Sequence, residues 1–355
     1  MTILKIRGGD LDLVEYDFTS FHPGENMNTC GFEKSYSLSP VKTPVRTQAP
    51  GRIHLTVLDM NRFAPGQPGG GGIGFAIDVF AEVEVRCIEK GFEINYSRPA
   101  IIKHFLLVYS KTVGYTGGFS VTAKDHDYKH VGLGSTSTIL TALSAAVNRA
   151  LGDPLTLDQL RILIVNNYVE ETEGGMIAYG FETGVGPAVS GRGGMAILGD
   201  NLTVVHQHIF AKGKNVHIVI PPSSISSAGE EEFSLLMNKA RSLDYRDREL
   251  KAYIVMMDFI PALNQDDLKK MGDSMWEMEF RGSKRAEIEH HSFELYQYMH
   301  KLRKAGLEFI GMSSVGPSIA VITDMSREKL SSILTPLQLE IAVSTKVNNS
   351  GLVFL

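Results

Sequence analysis

The sequence predicts an α+β protein of two packed domains, and three observations carry that prediction. Two-residue alternation of apolar and polar residues dominates the N-terminal half, whereas helical periodicity dominates from about Glu230. Runs of strand followed by runs of helix favour an α+β architecture over a doubly wound parallel sheet. A chain of 355 residues, 43% of them hydrophobic, has enough apolar surface for a large core and is long enough for two domains.

Taken in order, residues 1–46 read as a leader rich in Gly, Pro, Ser and Thr, with "SLSPVKTPVRTQAPG" as a linker into the body. Arg52 to Leu58 then alternates, with Ile53, Leu55 and Val57 on a buried face and Arg52, His54 and Thr56 on a wet one. Phe75 to Cys87 alternates again: Phe75, Ile77, Val79, Ala81, Val83 and Val85 point inward, and Asp78, Glu82, Glu84 and Arg86 outward. Glu89-Lys90-Gly91 reads as a hairpin turn into "FEINY". Ser137 to Leu151 switches to helical period through Leu140, Leu143, Val147 and Leu151, closed by Gly152 and Pro154. A second amphipathic helix spans Thr156 to Val169. "GMAILGDNLTVVHQHIF" follows as a hairpin and "VHIVIPP" as a buried strand. Helices are expected over 230–241, 249–262, 266–279 and 285–304. Strands around Leu307–Ser313 and Ile319–Thr323, a helix Arg327–Thr335 and a strand from Glu340 complete the reading.

Composition excludes several function classes. A net charge of −5 provides no global basic field for nucleic acid or an anionic membrane, so any bound anion must be held by local geometry. Cys30 and Cys87 are too few for a disulfide framework or a zinc site. The N-terminus lacks the layout of a signal peptide, and no apolar run approaches a membrane span. A cytoplasmic protein is the expectation.

Three glycine-rich stretches carry the chemistry. "HVGLGSTSTILTAL" from His130 places Gly132, Gly134 and Ser135 at the start of a helix. Unpaired N–H groups and the helix dipole there can hold an anion. The hydroxyls of Ser135, Thr136 and Ser137 can donate to phosphate or ligate Mg²⁺; a simple capped helix is the competing reading. No Gly-Lys-Ser/Thr follows, so this is not a Walker loop. The others are "GFETGVGPAVSGRGG" (Gly180–Gly194), after the acidic "NNYVEETEGG", and "GMSSVGPSIAVIT" (Gly311–Thr323).

With "PGRIHLTVLDMN" (Pro50–Asn61), these stretches in this order resemble the GHMP kinase superfamily from about Thr47 onward. The resemblance implies a ribosomal-S5-like N-terminal domain over 47–215, a ferredoxin-like C-terminal domain over 216–355, and residues 1–46 as an extension. Kinases of that superfamily carry an Asp in a "PSGxD" segment. Laid on "ETGVG", that segment puts Gly186 where the Asp stands, and glycine can neither accept a proton nor orient a hydroxyl.

"RIHLTVLDMN", "GGGGIGFAI", "HVGLGS", "GFETGV" and "GMSSVGPS" resemble a non-kinase branch. That branch holds the β-ribofuranosylaminobenzene 5′-phosphate synthases of methanopterin biosynthesis and the C-ribosyl synthases of C-nucleoside antibiotic pathways. The resemblance implies phosphoribosyl pyrophosphate as donor and a small aromatic carboxylate as acceptor, with Mg²⁺ (or Mn²⁺) as cofactor and a homodimer as assembly. Pyrophosphate and CO₂ leave, and no strong base is required because CO₂ loss restores aromaticity. By family position, Gly132, Leu133, Gly134, Ser135, Thr136 and Ser137 hold the diphosphate, with Thr183, Gly184, Ser313, Ser314 and Gly316 as further anion contacts. Thr136 or Ser137 shares the metal with Glu170, Glu171 or Glu173. Arg52, His54, Asp59 and Glu182 are the catalytic candidates, and Asn61 and Arg192 the acceptor contacts.

The leader and the "RFAPGQPGGGG" insertion tilt the expected acceptor toward a pyrazole-type carboxylate, with aminobenzoate or hydroxybenzoate as the alternative. A GHMP kinase with a substitute base and a non-catalytic ligand-binding homologue are the competing readings. "EIEHH" (Glu287–His291) is read as a solvated helix face, "HQH" (His206–His208) as a hairpin without metal partners, and Trp276 as core.

Overall fold

The computed structural model describes residues 19–126, 128, 131–223, 225 and 229–355. The N-terminal half contains β1 (Val45–Val57), β2 (Gly72–Ile88), β3 (Phe92–Asn95), α1 (Pro99–Val113), β4 (Gly118–Lys124), α2 (Ser135–Ala150) and α3 (Leu157–Asn166). Then come β5 (Val169–Glu171), β6 (Ile177–Tyr179), α4 (Val185–Arg192), β7 (Met195–Leu198) and β8 (Val204–His208). The remainder holds β9 (Asn215–Val219), α5 (Gly229–Ser234), α6 (Arg241–Ile254), α7 (Ile260–Asn264), α8 (Leu268–Glu279), α9 (Gly282–His291) and α10 (Glu294–Lys304). It closes with β10 (Phe309–Met312), β11 (Ile319–Thr323), α11 (Arg327–Leu334), β12 (Ile341–Lys346) and β13 (Val353–Phe354). π-helical turns at Leu235–Ala240 and Val255–Phe259 join α5, α6 and α7 into one long rod.

The strands form two main sheets. One runs β13-β1-β2-β4-β3, with β7 and β8 continuing from the upper part of β2; the other is antiparallel in the order β10-β11-β9-β12. One face of the large sheet packs its alternating residues, Val83, Val85 and Val121 among them, against α1, α2 and α3. Its β1–β2–β7 portion contributes Ile53, Leu55, Phe75 and Ile197 to a core shared with the second sheet and α8. The two halves therefore meet through a common apolar layer, with β1 at the seam.

Several elements differ from the sequence reading. β1 begins at Val45, so the second half of the segment read as a linker is already paired with β2. β3 does not form a hairpin with β2: it pairs parallel with β4, which lies between them. The wet face assigned to β1 is covered, leaving Arg52 and His54 each 7% exposed and Thr56 fully buried. Thr156 is the N-cap of α3 through a reciprocal capping box with Gln159, and that helix stops at Asn166. The expected helix over 285–304 breaks at Ser292. Glu287 is 2% exposed, because the Lys284–Glu287 pair turns into the interior rather than toward solvent.

Candidate active site

The first and third glycine stretches interlock around β1. The Arg52 backbone N–H donates to Leu133 O at 3.3 Å, and its Nη1 donates to Gly132 O at 2.9 Å. Ser313 Oγ donates to the same Gly132 carbonyl at 2.6 Å while accepting the His54 N–H at 3.1 Å. Ser314 N–H donates to His54 O at 2.7 Å. Gly132 (φ +95°) is required here, because a Cβ would lie 2.4 Å from the Ser313 carbonyl oxygen. His130, the first residue of that stretch, lies outside the described residues.

A cleft opens beside this knot and has two unlike ends. One end is walled by Gly132 to Thr136, Tyr168, Glu170 and Gly316. The other is walled by Val57, Met60, Phe63, Leu236 and Val315, together with His54, Glu182, Thr183 and Glu287. Arg52, Phe181, Glu232 and Ser314 line both ends. Arg52 is the one cation lining the cleft among the described residues, and its buried Nε has no hydrogen-bond partner. The N-terminus of α2 faces the first end, with Gly134 (φ 72°) at its cap and no side chain bonded there. The opening N–H groups of a helix lack acceptors within it, so this end presents several donors plus the Arg52 cation to an anion.

The N-terminus of α4 faces the second end and is already filled. Glu182 Oε1 accepts the N–H groups of Gly184 at 2.9 Å and Gly186 at 3.1 Å, and the residue is 4% exposed. Burial raises its carboxyl above the ordinary range, with Arg52 and these N–H groups opposing that rise. A Cβ on Gly186 would lie 2.6 Å from both Glu182 Oε2 and Ser137 Oγ, so a side chain there would force both to move. His54 Nε2 stands 3.3 Å from Thr183 Oγ1. Burial holds the imidazole well below its ordinary range, aided by the positive charges of Arg52 and Lys284, so His54 is neutral at physiological pH.

No family model matches the chain. A β-ribofuranosylphenol 5′-phosphate synthase from Archaeoglobus fulgidus is 26% identical over 300 residues, covering 79% of this chain and 88% of that protein. Its counterpart from Methanothermobacter thermautotrophicus is 26% identical over 301 residues, covering 78% and 87%. Homoserine kinase from Cytophaga hutchinsonii superposes with a TM-score of 0.65 at 17% identity, over 91% of this chain and 100% of its own. Mevalonate diphosphate decarboxylase from Staphylococcus aureus gives 0.62 at 15% identity, over 88% and 98%. The fold is that of the GHMP kinases.

Within that GHMP fold, the expected residues separate into those that reach the cleft and those that do not. Arg52, His54, Glu182, Thr183, Gly132 to Thr136, Glu170, Ser314 and Gly316 line it. Ser313 acts from behind as the peg between β1 and the glycine loop. Ser137 is fully buried and donates to Gly134 O, which takes it out of reach of a metal in the cleft. Gly184 serves as the backbone donor to Glu182 and is not free for phosphate. Asp59 caps the short 3-10 turn Met60–Arg62, and Asn61 bonds to it and to Arg241 O, so neither lines the cleft. Arg192 ends α4 on the surface and pairs with Asp158 at 2.7 Å, away from the cleft.

Of the three candidate metal glutamates, only Glu170 belongs to the cleft. Glu171 accepts the Ala100 N–H at the start of α1, and Glu173 is exposed. Glu170 Oε2 accepts from Thr136 Oγ1 at 2.9 Å and from Arg98 at 3.3 Å, while Oε1 accepts from the Tyr168 hydroxyl at 3.0 Å. Among the described residues no cluster of three or more metal-type side chains occurs. No helix among them is long and apolar enough to cross a membrane.

Sequence reasoning missed Arg98, Tyr168, Phe181, Glu232, Lys284 and Glu287. Arg98 donates to Ser135 Oγ at 3.2 Å and Thr136 Oγ1 at 2.6 Å and pairs with Asp125, fixing the first turn of α2 from outside. Lys284, fully buried, donates to Ser314 O at 3.0 Å and pairs with Glu287 at 2.5 Å. Tyr168, Phe181 and Glu287 lie inside stretches already singled out, "NNYVEETEGG", "GFETGVGPAVSGRGG" and "EIEHH", but nothing in those stretches marks them for the cleft. Arg98, Glu232 and Lys284 carry no local signal, because only tertiary packing brings them to it.

Proposed function

We propose that this chain is a decarboxylative C-ribosyltransferase that joins phosphoribosyl pyrophosphate to a hydroxybenzoate-type acid, giving a ribofuranosylphenol 5′-phosphate, pyrophosphate and CO₂. The bond from C1′ to the diphosphate oxygen breaks, and the leaving group keeps the electron pair. The ring carbon bearing the carboxylate then bonds to C1′. The carbon–carboxylate bond breaks and its electrons restore the aromatic ring. No proton has to be removed for this sequence.

The observation that carries the reading is the packing at Gly186. A kinase needs a group to take the proton of its substrate hydroxyl. Here the space beside Gly186 is taken by Glu182 and Ser137, and Glu182 is turned to its own helix. What remains is a diphosphate cradle beside an apolar compartment, which suits a reaction whose main demand is stabilising a departing polyanion. Ser135 and Thr136, the α2 N–H groups and Arg52 would hold the diphosphate. Glu170 with the Thr136 hydroxyl offers one carboxylate and one neutral oxygen, a donor set magnesium accepts when phosphate oxygens complete its shell. Bound there, the metal would neutralise charge on the leaving group.

The names of the two archaeal relatives favour a benzene-ring acceptor over the pyrazole-type carboxylate expected from sequence. The test is pyrophosphate and CO₂ release from phosphoribosyl pyrophosphate with Mg²⁺ and a panel of 4-hydroxybenzoate, 4-aminobenzoate and a pyrazole carboxylate, with ATP as a parallel donor. The expected result is release of both products with a benzoate and none with ATP. ATP consumption without pyrophosphate release from the ribosyl donor would return the protein to the kinases.

A further inference from the structure

We infer that the apolar end of the cleft is the subsite for the acceptor ring, with Phe181 as its stacking wall and Glu232 as the residue that reads the ring's electron-donating hydroxyl or amine. The inference rests on the ribosyl-transfer reading and extends it to the identity of the acceptor-selecting residues.

Three observations support it. First, the ends differ in kind: backbone donors and hydroxyls surround one, whereas Val57, Met60, Phe63, Leu236 and Val315 give the other an apolar part beside His54, Glu182, Thr183 and Glu287. Phe181 stands at the junction, its ring centroid 5.0 Å from that of Phe63, which lines the same end, and 5.9 Å from that of Phe233, so its ring is held by two aromatic neighbours. Aromatic pairs favour offset or tilted contacts at such separations. Second, the half-buried Glu232 lines both ends, and no hydrogen bond or ion pair joins its carboxyl to another described residue. A hydroxyl or amine from a bound ring would give that carboxyl a partner. Burial and the negative charges of Glu170 and Glu287 push Glu232 up to about 8, with Arg52 acting in the opposite direction. Third, Arg52 sits at the same junction with an unpartnered Nε, so a ring carboxylate can face a cation where the two substrates must meet.

The chemistry gives this placement a purpose. Attack through the ring carbon bearing the carboxylate requires a substituent that donates electrons into the ring. As positive charge spreads onto that substituent in the transition state, its O–H or N–H becomes a stronger donor. A carboxyl that accepts from it therefore binds the transition state better than the ground state. Glu232 is a positioning and selecting residue for the acceptor, with no covalent part in the reaction.

The experiment compares wild type, Glu232→Gln, Glu232→Ala and Phe181→Leu, each checked for unchanged thermal unfolding. Steady-state constants are measured with 4-hydroxybenzoate, 4-aminobenzoate and unsubstituted benzoate. Glu232→Ala should raise the acceptor KM or lower kcat at least tenfold and leave the KM for phosphoribosyl pyrophosphate within twofold. Glu232→Gln, which keeps an acceptor oxygen, should recover part of that loss. Phe181→Leu should raise the acceptor KM for all rings alike. A rise in KM of the same size for both substrates, or an acceptor KM and a kcat both unchanged in Glu232→Ala, would overturn the assignment.

Ligand-observed NMR of 4-hydroxybenzoate binding separates this inference from the reading beneath it. If no acid supports pyrophosphate release but binding is lost in Glu232→Ala and Phe181→Leu, the ribosyl-transfer reading fails and the aromatic subsite stands. If turnover occurs and both variants bind and react as wild type, the subsite fails alone.

Discussion

Two helix N-termini, those of α2 and α4, point into the same cleft, each preceded by a glycine in the left-handed region. Their local chemistry is alike, yet their states are opposite. At α2 the cap is Gly134 with no side chain bonded, and Arg52 adds a cation beside the open donors. At α4 the carboxylate of Glu182 already takes two N–H groups, and Gly186 leaves room for nothing more. A glycine-rich helix start is therefore a site for an external anion only where the chain has not supplied its own.

Restoring the kinase aspartate tests that contrast most severely. Gly186→Asp forces a Cβ into contact with Glu182 and Ser137 and adds a second carboxylate to a buried one. Unfolding free energy should fall by about 3–5 kcal/mol, from overpacking and like-charge burial together. Denaturant titration checks this, and a variant that folds with near-native stability and phosphorylates a hydroxyl substrate would reverse the reading of the second site.

The open site yields the next largest effect. Arg52→Met keeps the packing length and removes the charge, and should cost about 100-fold or more in turnover with phosphoribosyl pyrophosphate. Pyrophosphate binding followed by calorimetry should weaken in parallel. Undiminished affinity would place the cradle elsewhere. Gly134→Ala is gentler. Its φ of 72° disfavours a side chain, and the new Cβ would meet Arg52 Cγ at 2.7 Å, so the arginine must move. A change of about tenfold in KM for the donor is expected, and loss of stability without any change in KM would mean that Arg52 does not set the site.

Much of this arrangement was legible in the chain. The glycine loop at 132–134, the loop at 313–316 and the GHMP fold are local patterns that need only sequence order. The partly wrong elements share one physical cause, which is covering by distant segments. Arg52 and His54 alternate as the wet side of a strand should, but the 313–316 loop and the glycine loop close over that side. Lys284 and Glu287 sit three residues apart like an exposed helical pair, and only tertiary packing shows that they are buried together. Arg98 reaches Ser135 and Glu170 across 37 and 72 residues, a meeting that no spacing encodes. The choice among Glu170, Glu171 and Glu173 likewise depends on where β5 lies against α1 and α2.

The smallest expected effect concerns Glu279, a buried carboxyl that feels both Lys284 and Glu287 but does not line the cleft. Its Oε1 accepts the Met312 N–H at 2.9 Å, and its Oε2 has no hydrogen-bond partner. Burial pushes the carboxyl up to about 8, with Lys284 opposing and Glu287 reinforcing that rise. The folded state thus holds a proton that the unfolded chain releases near 4.5, so this group's contribution to stability is complete below 4.5 and is lost as pH rises toward 8. Glu279→Gln keeps an oxygen for Met312 and cannot ionise, so it should remove that loss. Relative to wild type, its melting temperature should climb by about 2 °C or more between pH 5 and pH 8. Melting curves that stay parallel across the window would show that Glu279 titrates normally, and that the buried charges behind the third glycine stretch are more hydrated than their packing implies.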